Sequence, residues 1–311
     1  MNLCDLHCDT ALWLYLRDAS LSDNPFHISE KLFRGYEKYI QLAAVFTSPR
    51  LSNDEGYKQF WRVRERLIEE CAKLEIPLVG SAAELKNAIS DRGRAFILTV
   101  EDVRIADGDI SRIRELYDAG VRVITPLWGG ETIIGASHDT EGGLSDFGGY
   151  AVEEMTKLGI IPDISHASDR AGDEIMDVCE AAKVSPIATH MNSRAVCNHT
   201  RNLTDARFER LCSLGGIAGI SLCPAHLTER EECTSDDAVR HIVHYSEIAR
   251  DHVALGCDFD GVETLPVGLE NISRLPNLEA PLKSEGFTDG DISALFFENA
   301  KNFLINNLPE R

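Results

Sequence analysis

The sequence lacks the segments that would direct a protein to or through a membrane. No stretch approaches the roughly 18 consecutive apolar residues that a membrane span requires. The first ten residues, MNLCDLHCDT, carry acids and a histidine instead of a basic start followed by an apolar run, and the last nine, FLINNLPER, form no hydrophobic tail. We therefore expect a cytoplasmic protein that does not bind membranes.

Positive charge and glycine-rich phosphate loops are also scarce. The chain has 31 Lys and Arg against 51 Asp and Glu, which gives a formal net charge of −20. Such a surface repels nucleic-acid backbones and anionic lipids, so we expect neither as a partner. The glycine pairs at 129–130 and 142–143 are too sparse for a dinucleotide- or nucleotide-binding turn.

The nine cysteines show no disulfide framework. Their number is odd and their spacing irregular, as expected for buried thiols in a reducing compartment. No low-complexity run or linker divides the chain either, and its 43% hydrophobic and 26% charged residues are typical of globular proteins. We therefore predict a single catalytic domain over residues 1–311.

Strand-like apolar runs alternate with amphipathic helical patterns along the whole chain. Ser168 and Thr288 are predicted N-caps of two of these helices. The runs are continuous rather than alternating, which favours a parallel sheet covered on both faces. Eight βα units predict an α/β fold of the (β/α)8 TIM-barrel type, although strand counting leaves an open doubly wound sheet as an alternative. The eight predicted strands are Asn2–Asp9, Tyr39–Thr47, Arg94–Glu101, Val121–Trp128, Gly159–Ser165, Ser185–His190, Gly216–Leu222 and His252–Asp258.

Ionisable residues end five of these strands, at the rim where barrel enzymes place their active sites. His7 and Asp9 project from the same face of one strand and could share a cation. Taken singly, each such residue has an ordinary structural interpretation, such as a hydrogen-bonded core histidine or a helix-capping acid. Their convergence on one rim is the informative feature. The residues are His7, Asp9, Glu101, His166, His190 and Asp258.

Together these side chains form a ligand set for two metal ions. His7, Asp9 and Glu101 would bind one ion, and Glu101, His166 and His190 the other. Glu101 has two carboxylate oxygens and could bridge both. Open sites of imidazole and carboxylate suit Zn²⁺ best, while Mn²⁺ or Co²⁺ would also fit.

The ordered motifs resemble the membrane (renal) dipeptidase family of metal-dependent amidohydrolase-like barrels. The resemblance spans nearly the whole chain. It begins at Asp5-Leu-His7-Cys-Asp9, Thr99-Val-Glu101 and Asp163-Ile-Ser-His166, continues through Thr189-His190 and His199-Thr-Arg201-Asn202, and ends at Ala254-Leu-Gly-Cys-Asp258-Phe-Asp-Gly261 and Glu298-Asn299.

The resemblance implies a dipeptidase with a binuclear zinc centre. Glu101 would bridge the two Zn²⁺ ions, and the hydroxide they activate would attack the peptide carbonyl. Arg201 would receive the terminal carboxylate of the dipeptide, for which its planar guanidinium is suited. Asp258 would contact the substrate and act as the acid/base residue. The resemblance also implies tolerance of a D residue at the C-terminal position and extends to a homodimer, for which the sequence shows no interface.

Three residues depart from the family pattern. Leu6 and Asp102 stand where glycine is usual, and Trp128 occupies the position of a histidine that steadies the tetrahedral intermediate. An indole donates one hydrogen bond but carries no positive charge. Either Trp128 substitutes, or His138 reaches the site, or the substrate differs, so both residues are candidate substrate contacts.

Two further hypotheses stay open at this point. A related binuclear metallohydrolase could act on another amide, a lactone or an ester. A barrel that binds metal or peptide without turnover is a non-enzymatic possibility, because a fold does not fix a function.

Overall fold

A ring of eight parallel strands forms the centre of the protein in the computed structural model, which describes residues 1–91 and 93–310. The predicted domain 1–311 thus includes two residues, 92 and 311, outside the described part. The strands are β1 (Leu3–Cys8), β2 (Tyr39–Phe46), β3 (Arg94–Glu101), β4 (Val121–Thr125), β5 (Ile161–Pro162), β6 (Ile187–Ala188), β7 (Ile217–Ile220) and β8 (Val253–Leu255).

The sheet curls until its two ends meet. Its order is β5-β4-β3-β2-β1-β8-β7-β6. The end strands β5 and β6 are joined by a parallel bridge between Asp163 and Ile187, where the Ile164 N–H donates to the Ile187 carbonyl at 2.8 Å. This junction confirms the predicted barrel and rules out the open doubly wound sheet. Each predicted strand is present, and seven are shorter than predicted, while β3 has the predicted bounds.

Helices surround the ring and connect its strands. They are α1 (Thr10–Leu16), α2 (Glu30–Phe33), α3 (Asn53–Lys73), α4 (Ala82–Asp91), α5 (Ser111–Asp118), α6 (Asp146–Leu158), α7 (Asp169–Ala182), α8 (Asp205–Ser213), α9 (Pro224–Leu227), α10 (Ser235–Ala249), α11 (Glu279–Ser284), α12 (Asp289–Ser293) and α13 (Asn299–Asn307). Three 3-10 helices and one π-helical segment complete them: Val103–Ala106, Arg250–His252, Ile272–Leu278 and Ala294–Glu298. None of the helices in the described part of the chain has the length and apolar character needed to cross a membrane.

The predicted helix caps are confirmed. Ser168 accepts a hydrogen bond from the Ala171 N–H at the start of α7. Thr288 and Asp291 form a capping box at the start of α12. Both caps satisfy N–H groups that the first turn of a helix leaves unpaired.

Two apolar cores lie on the two sides of the sheet. The inner core takes one or more buried residues from every strand, so it must fill the lumen of the barrel. Helix α13 covers this core from the side of the strand starts, through Phe303 and Leu304. The outer core lies between the sheet and the helices and includes Cys8 and Cys257. The end of the barrel where the strands finish is therefore the end free to hold a site.

Candidate active site

The predicted metal ligands lie together at the carboxyl ends of the strands. His7 and Asp9 bracket the end of β1, and Glu101 is the last residue of β3. His166 and His190 lie shortly beyond β5 and β6. Cys8, between His7 and Asp9, points outward into the helix-facing core, as alternation along a strand requires.

Glu101 is the centre of the cluster. Its Oε1 lies 2.9 Å from Nε2 of His166 and 3.5 Å from Nε2 of His190. Its Oε2 lies 3.5 Å from Nε2 of His7. The two oxygens of one buried carboxylate thus face two separate groups of ligands.

The His166 and His190 imidazoles present lone pairs to each other. His166 Nδ1 donates to the Trp128 carbonyl at 2.9 Å, which leaves its Nε2 without a proton when the ring is neutral. Burial is the main cause that lowers the pKa of His166 to about 4 and that of His190 well below its usual value. The two Nε2 atoms are nonetheless 2.9 Å apart. A cation between them and Glu101 would remove this repulsion.

Hydrogen bonds through Thr189 and Asp163 fix the tautomer of His190. The Thr189 hydroxyl donates its one proton to Oδ2 of buried Asp163 at 2.6 Å. Nδ1 of His190, 2.8 Å from the same hydroxyl oxygen, must therefore donate. Asp163 also accepts from the Thr125 hydroxyl at 2.6 Å, so it ties β4, β5 and β6 together. Such support behind a ligand orients it for a metal.

His7 forms the centre of the second ligand group. Its Nε2 lies 3.6 Å from Oδ2 of Asp9 and 3.8 Å from Oδ1 of Asp258. Among the described residues this nitrogen has no hydrogen-bond partner, and neither has Oδ1 of Asp9. Burial opposes a charge on His7, yet Glu101 and Asp9 raise its pKa well above the usual value. The surroundings of His7 therefore attract positive charge.

The donor atoms fit metal ions in three overlapping groups. Within the described residues, the ligand atoms of each group lie within 4.8 Å of one another. Two groups coincide with the predicted pair of sites that share Glu101, and the third joins Asp258 to His7 and His190. Imidazole nitrogen and carboxylate oxygen are ligands that zinc and similar divalent ions take.

Arg201 is a buried cation aimed at the same cavity. It lies in the loop between β6 and α8 and is only 1% exposed. Its three guanidinium nitrogens have no hydrogen-bond partner among the described residues. Burial lowers the pKa of Arg201, while Asp258 and Glu101 oppose that shift. Burial of a guanidinium without such partners is costly, and an anion in the cavity would offset that cost.

Asp258 lies just beyond β8 in the left-handed region, with φ of 61°. Its N–H donates to the His7 carbonyl at 3.2 Å, which sets the carboxylate beside the ligands. Burial, with the charges of Asp9 and Glu101, raises the pKa of Asp258 to about 8 against the opposing effect of His7. Bound cations would favour the carboxylate form, so this group can hold or release a proton at the site.

Trp128 and His138 both line the cavity. Trp128 lies three residues beyond β4, and the centroid of its ring is 5.0 Å from that of the Phe46 ring. His138 comes from the loop after β4, and its N–H donates to the His166 carbonyl at 2.8 Å. The structure thus brings both candidate contacts to the cavity without showing which of them meets substrate.

Several residues of the cavity were missed in the sequence. Its volume is about 400 Å³, and its lining includes Trp13, Phe46, Cys223 and His226, which no sequence motif indicated, together with Asp260 and Gly261 of the motif after β8. Phe46 ends β2, and Cys223 and His226 follow β7. Phe46 has no ionisable group, and Cys223 and His226 lie beyond the last residue of the predicted strand Gly216–Leu222, so the ionisable strand ends did not indicate them.

Asp102 shows how one departure from the family pattern is accommodated. The residue after Glu101 has φ of 70°, a conformation that favours glycine and that aspartate tolerates better than most residues. Its carboxylate accepts from the N–H of Arg104 at 3.2 Å and from its Nε at 2.9 Å. These bonds offset part of the backbone cost beside the central carboxylate.

Comparison with known proteins agrees with the barrel fold. A crystal structure of a metallopeptidase from Rhodobacter sphaeroides, liganded with a phosphinate mimic of the dipeptide L-Ala-D-Ala, matches with a TM-score of 0.89 at 22% identity, over 99% of both chains. A second solved structure, a dipeptidase of peptidase family M19, matches with a TM-score of 0.90 at 23% identity, over 100% of this chain and 99% of that one. At these identities the likeness concerns the fold.

Sequence relatives extend the comparison. An uncharacterised protein from the pqqA 5′ region of Klebsiella pneumoniae is 30% identical over 263 residues, which are 80% of this chain and 95% of the relative. An uncharacterised dipeptidase of Schizosaccharomyces pombe is 33% identical over 214 residues, 66% of this chain and 51% of the relative. The matched segment therefore spans about half the length of the yeast protein.

The model of one protein family covers nearly the entire chain. The description of that family is membrane dipeptidase, peptidase family M19, and residues 1–304 match it. The barrel and the site at its rim agree with that match. The chain therefore belongs to the membrane dipeptidase family of metallopeptidases.

Proposed function

We propose that the protein is a binuclear zinc dipeptidase that hydrolyses small dipeptides, including those with a D residue at the C-terminal position. The observation that carries the proposal is the position of Glu101, whose two oxygens face two separate ligand groups. The phosphinate mimic of L-Ala-D-Ala in the Rhodobacter sphaeroides structure supports the choice of substrate.

Each of these residues would have a separate role. His7, Asp9 and Glu101 would hold one Zn²⁺, and Glu101, His166 and His190 the other. Two such ions would supply a water of lowered pKa and would polarise the scissile carbonyl. Arg201 would bind the terminal carboxylate through the guanidinium nitrogens that have no partner among the described residues, which would hold the peptide bond over the centre.

Asp258 would move the proton. Its Oδ1 lies 3.8 Å from His7 Nε2, so the carboxylate lies beside a proposed ligand of one ion. It would accept a proton from the attacking water and pass it to the leaving amine. Trp128 and His138 would contact the substrate, since both line the cavity.

A chiral dipeptide panel tests the substrate. Zinc-reconstituted protein should cleave L-Ala-D-Ala and other L-D dipeptides, and the metal-stripped protein should not. Failure to cleave any L-L, L-D, D-L or D-D member, with two metals bound per chain, would move the assignment to another amide, a lactone or an ester.

Substitution of Glu101 tests the centre with a second readout. Glu101→Ala should abolish hydrolysis and weaken both metal sites, as measured by elemental analysis after dialysis. Glu231→Ala, at an exposed glutamate, is the matched control and should keep two metals. Full activity in metal-loaded Glu101→Ala would refute this mechanism.

The proposal covers the whole enzyme as well as its centre. We propose one catalytic domain over residues 1–311, which no linker divides, and a cytoplasmic location. A homodimer follows from the family resemblance. Multi-angle light scattering should give twice the monomer mass of 34.4 kDa, and the mass of one chain would contradict the dimer.

A further inference from the structure

The mouth of the cavity has two walls of different chemistry. One wall, here the aromatic wall, consists of Trp13, Phe46 and Trp128. The other, here the polar wall, consists of His138, Cys223 and His226 and lies beside Arg201. The polar wall contains none of the metal ligands proposed above.

The aromatic wall offers apolar ring surface. The rings of Phe46 and Trp128 are 5.0 Å apart. The indole N–H of Trp13 already donates to the Asp260 carbonyl at 2.7 Å. Trp13 therefore has no free polar atom for a ligand and can offer its ring alone.

The polar wall offers hydrogen bonds without a formal charge. Nδ1 of His138 is 3.1 Å from the Thr200 hydroxyl, and the rings of His199 and His226 are 4.8 Å apart. Burial and then the charge of Arg201 lower the pKa of His226. A neutral imidazole presents one donor and one acceptor, which suits a hydroxyl or carboxamide group.

The two walls face each other across the barrel. Phe46 ends β2, whereas Arg201 follows β6, and these strands are four places apart in either direction around the ring of eight. Cys223 and His226 follow the neighbouring β7. His138 belongs to the loop after β4 but reaches the β6 loop through Thr200.

We propose that this division sets the order of residues the enzyme accepts: a large apolar residue at the N-terminal position and a short, uncharged, hydrogen-bonding residue at the C-terminal position. The inference rests on the proposed dipeptidase function. A carboxylate held by Arg201 places the C-terminal residue beside the polar wall. The scissile bond over the proposed metal ligands lies between the two residues, so the N-terminal residue extends away from Arg201, toward the aromatic wall on the opposite side of the ring.

A pair of dipeptides with the same composition and reversed order tests the inference. The zinc-loaded enzyme should hydrolyse L-Phe-D-Ser with a kcat/KM at least ten-fold higher than that for L-Ser-D-Phe, because burial of an aromatic side chain discriminates on that scale. Values of kcat/KM that agree within three-fold, or a higher kcat/KM for L-Ser-D-Phe, would overturn the inference.

Two variants assign the effect to the walls. Phe46→Ala should lower the ratio of kcat/KM for L-Phe-D-Ser over L-Ala-D-Ser about ten-fold. His226→Phe should raise the kcat/KM for L-Ser-D-Phe relative to that for L-Phe-D-Ser, because the substitution makes the polar wall more apolar. Tyr150→Ala removes an aromatic ring that is 65% exposed on α6 and should change neither ratio. Unchanged ratios in both wall variants would contradict the assignment.

L-Ala-D-Ala separates failure of the inference from failure of the proposed function. Cleavage of L-Ala-D-Ala with no order preference overturns the inference and leaves the dipeptidase function standing. If L-Ala-D-Ala is not cleaved, calorimetric binding of the two isomers decides the inference. Ten-fold tighter binding of L-Phe-D-Ser supports it, and equal binding or none overturns it.

Discussion

Gly261 brings the backbone unusually close to two carboxylates of the site. A Cβ at this position would collide with Oδ2 of Asp9 and Oδ1 of Asp258. The carboxylates could not move away without changing their distances to His7. Space, rather than backbone conformation, therefore requires glycine at this position.

Gly261→Ala should lower kcat/KM about 100-fold, since misplacement of a catalytic group by about 1 Å has effects of that size. Steady-state hydrolysis of L-Ala-D-Ala measures the loss, and circular dichroism checks the fold. Gly149→Ala is the matched control, because no atom of the described residues would lie within 4 Å of a Cβ there. Wild-type kinetics in Gly261→Ala would show that the carboxylates tolerate the added methyl group.

Thr189 acts on the metal site through His190. Thr189→Val keeps the shape of the side chain but removes the hydroxyl that accepts from His190 and donates to Asp163. Zinc affinity, measured by competition with a chelator, should fall about 10- to 100-fold. Thr156→Val, whose hydroxyl bonds an exposed carbonyl of α6, should bind zinc as the wild type does. Equal affinities in the two variants would argue against the role of Thr189.

The convergence of the proposed ligands on one rim could be predicted, but their orientation could not. His7, Asp9 and Glu101 were found because ionisable groups at the ends of apolar strands are conspicuous. Arg201 gave no local signal apart from the family resemblance, because its burial and unpaired nitrogens arise only when the β6 loop folds over the cavity. The hydrogen bond that sets the His190 tautomer likewise depends on Asp163 of another strand.

At the scale of elements, the strands end where the site begins. The sixth strand was predicted over Ser185–His190 but pairs only over Ile187–Ala188. Beyond these ladders the chain turns inward, and His166, Asp258 and Asp260 adopt positive φ values of 69°, 61° and 66°. Such backbone conformations are typical of functional sites. Apolar periodicity could not reveal these ends, because residues at the site are as buried as residues of the strands.

Helix α13 stabilises the barrel from the end opposite the site. Leu304 is fully buried against the inner core, so Leu304→Ala should lower the free energy of unfolding by about 2–5 kcal/mol. Denaturant titration measures this loss. Asn306→Ala, at an exposed position of the same helix, is the control and should have little effect. A loss below 0.5 kcal/mol in Leu304→Ala would contradict the role of α13 as a cover of the lumen.

At the scale of the whole molecule, the proposed metal centre connects distant parts of the ring. Its ligands come from β1, β3 and the segments after β5 and β6. Bound ions would therefore join strands that otherwise meet only through their neighbours. The stabilisation by bound ions should therefore appear in the global unfolding transition rather than in local unfolding.

Removal of metal should lower the stability of the entire fold. Zinc at 100 times its Kd should raise the free energy of unfolding by about 2.7 kcal/mol for each site, through binding to the folded state. Calorimetry with zinc and after chelation measures the difference. The Glu101→Gln variant should lose most of this stabilisation by zinc, because both proposed sites share Glu101. An identical melting temperature with and without zinc would contradict a linked centre.

The sequence by itself determined the α/β class, the eight strands and the set of residues with ligand chemistry, because apolar periodicity and residue type are local properties. The tertiary structure decided the rest. Closure between β5 and β6 distinguished a barrel from an open sheet, a difference that depends on contacts between segments far apart in the chain. The same closure placed the aromatic wall opposite Arg201, and no local pattern reports which strand faces which across a ring.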